Sequence, residues 1–84
     1  MDAKEFNSKY PLGTFFILKD SEGDTRLVRS ESEGIEIPNE IAVKVSDVEG
    51  LCYYAFYNRE LAFLPESEIE KGGYDVSSWK GLPV

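Results

Sequence analysis

From Gly13 onward the pattern of apolar and polar positions turns from helical to β. "TFFILK" (14–19) is rich in β-formers, and "TRLVRS" (25–30) follows it after "DSEGD". Gly23 closes that turn as the left-handed residue that ends a short hairpin loop. "IEIP" (35–38) is a short alternating piece that Pro38 ends or pushes to an edge. "IAVKVS" (41–46) alternates cleanly. Ile41, Val43 and Val45 point one way, and Ala42, Lys44 and Ser46 the other. "DVEG" then turns the chain into two further strands, 51–57 and 61–64.

The stretch "LCYYAFYNRELAFLP" (51–65) breaks the two-sided rule, because both faces of its first strand are apolar. One set is Cys52, Tyr54 and Phe56. The other is Leu51, Tyr53, Ala55 and Tyr57. Loop length decides which set is core, since a one-residue slip inverts every side chain. A four-residue loop, Asp47 to Gly50, places Val45 opposite Cys52, Val43 opposite Tyr54 and Ile41 opposite Phe56. A two-residue turn at Asn58-Arg59 agrees, pairing Phe56 with Leu61 and Tyr54 with Phe63. Three-residue loops favour the other set but demand a left-handed residue of Glu60, a poor choice. The expectation is therefore that Cys52, Tyr54 and Phe56 face the core. Tyr53 and Tyr57 then stand outside with Ala42, Ala55, Ala62 and Leu64 as a flat amphipathic platform. That platform is either roofed by a chain terminus or free to bind.

The termini carry weaker signals. In "DAKEFNSKY" Asp2 is a good N-cap, and Phe6 and Tyr10 share a face, so residues 1–12 form a short helix or a frayed arm. "PESE" resembles one helical turn, after which Ile69 could re-enter the sheet. "KGG" (71–73) is a hinge. The tail "YDVSSWKGLPV" follows, with Asp75 as a cap, Gly81 as a stop and Pro83 forbidding continuation. Trp79 and Leu82 either fold back over one end of the sheet or make Trp79 a tethered anchor for a partner.

Five or six short strands with tight turns imply a mainly β fold, a small antiparallel and partly open barrel with short helical turns near its ends. The domain spans 13–70, and 71–84 is a hinge and tail packed on the barrel or extending from it. The order of hairpins, strand, proline-led turn and short strand over about 61–70 resembles the end of an SH3-like barrel. The acidic-aromatic motif and tryptophan with which SH3 domains grip proline-rich peptides have no counterparts, so the resemblance implies architecture alone.

Composition narrows the chemistry. The chain has 84 residues, of which 42% are hydrophobic, so it makes one globular domain. Sixteen acids against nine bases give a net charge of −7. Such a surface repels phosphate backbones and anionic membranes, which disfavours both as partners, and it attracts basic proteins. There is no histidine, which removes the commonest general base and metal ligand. Asp20 and Asp24 face each other across a loop, but two exposed acids make no cation cage. Cys52 lies in a strand with no base near it in sequence and reads as core packing. A lone cysteine allows no internal disulfide, and no apolar leader or span is present, so a soluble, cytoplasmic protein without metal or cofactor is expected.

Function is then expected from surfaces. The first expectation is a non-catalytic inhibitor, adaptor or regulator that docks on a larger, basic protein. Nucleic-acid mimicry, of the kind small acidic proteins of bacteria and bacteriophages perform, is one form of it. The candidate partner-binding residues are Tyr53, Tyr57, Leu64 and Trp79, with the acids Glu31, Glu33, Glu66 and Glu68. The second expectation is a self-assembling domain that forms a homo-oligomer through its tyrosine face or an edge strand.

Overall fold

The computed structural model describes residues 1–74, 76, 77 and 79. In chain order it has helix α1 (Ala3–Lys9), strands β1 (Phe15–Lys19), β2 (Thr25–Ser30), β3 (Ile35–Ile37), β4 (Glu40–Asp47), β5 (Cys52–Phe56) and β6 (Leu61–Phe63), and helix α2 (Glu66–Lys71). All six strands pair antiparallel in one curled sheet, a small SH3-like half-barrel.

Strand β4 is the spine. Ala42 pairs with both Ile35 and Phe56, and Val45 with both Ser30 and Tyr53. A residue has one partner on each side, so β5 lies on the opposite side of β4 from β3 and β2. Beyond β2 come β1 and then β6. The turn at 57–60 carries the chain from the β5 edge to the β6 edge, which curls the sheet on itself.

The concave face holds the core. Phe16, Val28, Ile41, Val43, Val45, Ala55 and Leu61 line it, and α1 packs Phe6 and Tyr10 onto them. The helix forms despite its length because tertiary packing supplies what seven residues alone lack. The Asp2 carboxylate accepts from the Glu5 N–H at 2.8 Å. Phe6 is 1% exposed and touches the rings of Tyr10, Phe16 and Tyr57. Asn7 clamps Gly34, donating to its carbonyl at 3.2 Å and accepting from its N–H at 2.7 Å. The frayed-arm alternative is thereby overturned.

A second cluster lies on the convex face of β1 and β2. Leu27, Ile69 and Trp79 are buried there, with Phe15, Leu64, Tyr74 and Val76 packed around them. Ile69 reaches this cluster from α2, so it does not re-enter the sheet. Trp79, 4% exposed, folds back onto the barrel. The expected cap at Asp75, stop at Gly81 and contacts of Leu82 lie outside the described residues.

The register of β5 is the main correction. Ser46 pairs with Cys52, Val45 with Tyr53 and Val43 with Ala55, so Tyr53, Ala55 and Tyr57 face inward. Cys52 and Tyr54 are exposed, and Phe56 lies with them on the outer face. The cause is loop length. The Asp47 N–H donates to the Leu51 carbonyl at 3.0 Å, so the loop has three residues and Gly50 takes the left-handed position at φ +87°. Asp47 is a strand residue. Nor do β5 and β6 form a hairpin. Phe16 pairs with Phe63 and Leu18 with Leu61, while β5 shares no ladder with β6. The link between them is an i to i+4 turn closed by the Glu60 N–H on the Phe56 carbonyl at 3.0 Å, with Asn58, not Glu60, left-handed at φ 67°.

Candidate functional site

Three surface features stand out once the core is assigned. The first is the outer face of β3, β4 and β5. Ile35, Ala42 and Phe56 form one row across the three strands, and Lys44 and Tyr54 the next. Ile35 is 51% exposed and Tyr54 56%. The Arg59 guanidinium lies 4.1 Å from the centre of the Phe56 ring and bonds the Glu40 carboxylate at 3.0 Å. In a −7 protein this face therefore carries cations. Among the described residues neither terminus roofs it. Helix α1 occupies the concave side, and Trp79 reaches only the far end, where its Nε1–H donates to the Ser46 hydroxyl at 3.0 Å.

The open edge of β5 belongs to the same surface. Asp47 N–H donates to Leu51 O, and Tyr57 N–H to Ile41 O. By the alternation of antiparallel bonding, the peptide groups of Tyr53 and Ala55 face β4, and those of Cys52 and Tyr54 face away from it. The Phe56 N–H instead donates to the Glu60 carboxylate at 3.1 Å.

The second feature is a cleft of about 500 Å³ beside Arg26, Leu27, Asp47, Tyr74 and Trp79. Its buried carboxylate is committed to structure. Asp47 accepts from the N–H groups of Glu49 and Leu51 at 3.0 and 3.1 Å, and pairs with Arg26 at 3.6 Å. Burial pushes the nearby Tyr53 phenol up, with Arg26 working against that push.

The third feature is a groove of about 310 Å³ where β1 and β6 meet α2, walled by Phe15, Phe63, Leu64, Ile69 and Val76 with Glu66 and Glu70 at the rim.

The sequence candidates scatter over these features. Tyr53 and Tyr57 face inward. The Tyr57 phenol is pushed up to about 12, first by burial and then by the Tyr10 hydroxyl 3.0 Å away. Trp79 is buried, and its carbonyl accepts from Arg29 Nη1 at 3.2 Å. Arg29 also donates from Nη2 to both oxygens of Glu31 at 3.3 and 3.2 Å, so Glu31 secures the buried arginine beneath the tail. Glu33 is exposed in the segment before β3. Glu68 lies 3.8 Å from Lys71. Only Leu64 and Glu66 meet in one concavity. Asp20 turns its carboxylate onto its own loop, accepting from the N–H groups of Glu22 and Asp24 at 2.9 and 3.0 Å. Among the described residues there is no cluster of three metal-ligating side chains, and no helix is long and apolar enough to cross a membrane.

Missing from the candidates were Ile35, Lys44, Tyr54, Phe56 and the groove. The repeated "D-x-E-G" of residues 20–23 and 47–50 could have revealed Tyr54 and Phe56, because it sets the register of β5. Comparison with family models, with curated proteins and with solved structures gives no match to this chain.

Proposed function

We propose that this chain is a small, acidic, non-catalytic interaction module of the cytoplasm, an inhibitor, adaptor or regulator that docks on a larger protein. The observation that carries the reading is the outer face, uncovered among the described residues, where Tyr54, Phe56, Ala42 and Ile35 lie side by side on a rigid sheet. A domain of this size gains no stability from leaving a tyrosine and an isoleucine more than half exposed in adjoining rows. Aromatic residues on rigid strands are the kind of anchor that protein interfaces use. The experiment is affinity capture with the wild-type chain and with Tyr54→Glu, whose side chain points away from the core. A stoichiometric partner retained by wild type and lost by the variant supports the reading. No stoichiometric partner at moderate salt overturns it. Competition by duplex DNA for that partner separates nucleic-acid mimicry from ordinary docking.

A second reading, self-assembly through an edge strand, is favoured by the β5 backbone. Two copies of β5 laid antiparallel with Tyr53 at the two-fold axis would pair the peptide groups of Cys52 with those of Tyr54. The charge of −7 on each copy opposes it. A monomer in light scattering at high protein concentration removes this reading.

A further inference from the structure

We propose that the groove between β1, β6 and α2 is a docking slot for a short basic segment of a partner protein, with one bulky apolar side chain seated on Leu64 and Ile69 and its flanking cations held by Glu66 and Glu70. The proposal rests on the interaction-module reading and gives it a second surface and a partner chemistry. The slot is built by the fold. Leu64 N–H donates to Phe15 O at 3.3 Å, which holds the end of β6 against β1. The chain then turns at Pro65 into α2, and Ile69 packs down onto the convex face. What remains between helix and strands is an apolar trough of about 310 Å³, lined also by Val76 and by Phe63, which is 44% exposed. That is room for one or two large side chains.

The rim selects the occupant. Glu66 and Glu70 are four residues apart, hence on one face of α2, and both line the groove. Lys71, the one base of α2, pairs with Glu68 instead. Among the described residues no ion pair involves Glu66 or Glu70. An apolar floor with two carboxylates unpaired among the described residues fits a segment of opposite charge and opposes an acidic or phosphate-bearing one. A second copy of this −7 chain is opposed on the same ground. The outer face of β4 and β5, with Lys44 and Arg59, calls for a different chemistry, so the two surfaces would engage different features of a partner.

The test uses the full chain labelled with ¹⁵N and two blocked peptides, KKFLKK and the charge-matched KKSGKK. KKFLKK is expected to shift the amides of Leu64, Ile69 and Val76 in a saturating manner, and KKSGKK to produce only weak, non-saturating changes. The double variant Glu66→Lys with Glu70→Lys alters exposed side chains and should keep the spectrum of the fold. It should weaken KKFLKK by about tenfold or more, in line with two reversed surface pairs. Raising the salt should weaken wild-type binding and leave the variant almost unchanged. Equal binding of both peptides, shifts centred on Tyr54 and Lys44, or an unaffected double variant would overturn the proposal. If the groove is silent while partner capture still depends on Tyr54, the docking slot falls and the interaction reading stands. If capture fails while KKFLKK saturates the groove, the reverse holds.

Discussion

The hydroxyl of Tyr10, just after α1, lies 3.0 Å from the hydroxyl of Tyr57, 47 residues later at the start of the turn that joins the two edges of the sheet. The contact ties the N-terminal helix to barrel closure. A double-mutant cycle of Tyr10→Phe and Tyr57→Phe, read by urea denaturation, should give a coupling of about 1 kcal/mol. The pair also predicts an alkaline transition. The Tyr57 phenol is raised from 10.0 to about 12, so the native state favours the neutral form. That stabilisation is fully present below pH 10 and is lost as pH rises through about 12. Unfolding free energy should therefore fall more steeply over that window in wild type than in Tyr57→Phe.

Asn58 sits at φ 67° in the turn that follows. Asparagine tolerates that region, glycine tolerates it better, and a β-branched residue does not. Asn58→Gly should leave the urea midpoint nearly unchanged. Asn58→Val should cost about 1–2 kcal/mol. If the two variants were equally stable, the turn would not have the left-handed geometry that sets the path of β6.

How much of this was legible in the sequence differs between strand and loop. Alternation in "IAVKVS" located β4 and its core face, because a period of two needs no knowledge of any other segment. The Asp2 cap and the Phe6 and Tyr10 stripe located α1 for the same local reason. Pairing partners are non-local, and there the reading failed. The chain carries "DSEG" and "DVEG", and the structure uses them identically. Asp20 and Asp47 each accept two loop N–H groups, and Gly23 and Gly50 take φ +90° and +87°. Reading both as three-residue loops would have placed Tyr54 outside and Ala55 inside. The destination of β6 was not legible at all, since an i to i+4 turn at 57–60 and a two-residue hairpin turn use similar residues. The groove was half visible, with Leu64 and Glu66 among the candidates. Its far wall comes from Ile69 and Val76, which only the docking of α2 and the tail brings there.

Gly34 tests the clamp on α1. A Cβ built there would lie 2.7 Å from Ile41 Cγ2 and 2.8 Å from Phe6 Cδ1, both on buried residues that cannot retreat without a cavity or a clash elsewhere. Gly34→Ala should destabilise by about 1–3 kcal/mol. The loss should appear first as faster hydrogen exchange in α1, since the helix is held by the Asn7 clamp on the same residue.

Trp79 is the one tryptophan of the chain, so its fluorescence reports the tail directly. Its emission should lie to the blue of the unfolded chain, and acrylamide, which carries no charge, should quench it weakly. Trp79→Ala should cost about 3 kcal/mol, because it uncovers Leu27 and Ile69 and removes the ring that packs edge-on against Phe15. Ser46→Ala removes only the acceptor of the indole N–H and should cost about 1–3 kcal/mol. Strong quenching in the native protein would show that the tail is not docked.

Surface chemistry checks the register on which the outer face depends. Cys52 and Tyr54 share that face and are both exposed, whereas Ala55 is fully buried between them and Tyr57. A neutral thiol reagent should modify Cys52 stoichiometrically in the native protein without unfolding it. Brief tyrosine nitration should mark Tyr54 well before Tyr53 or Tyr57, whose rings pack into the barrel and whose phenols burial keeps protonated. A one-residue slip of β5 would exchange these results, with Cys52 protected and Tyr53 and Tyr57 labelled first. The same measurement therefore decides whether Tyr54 and Phe56, or Tyr53 and Tyr57, are available to a partner.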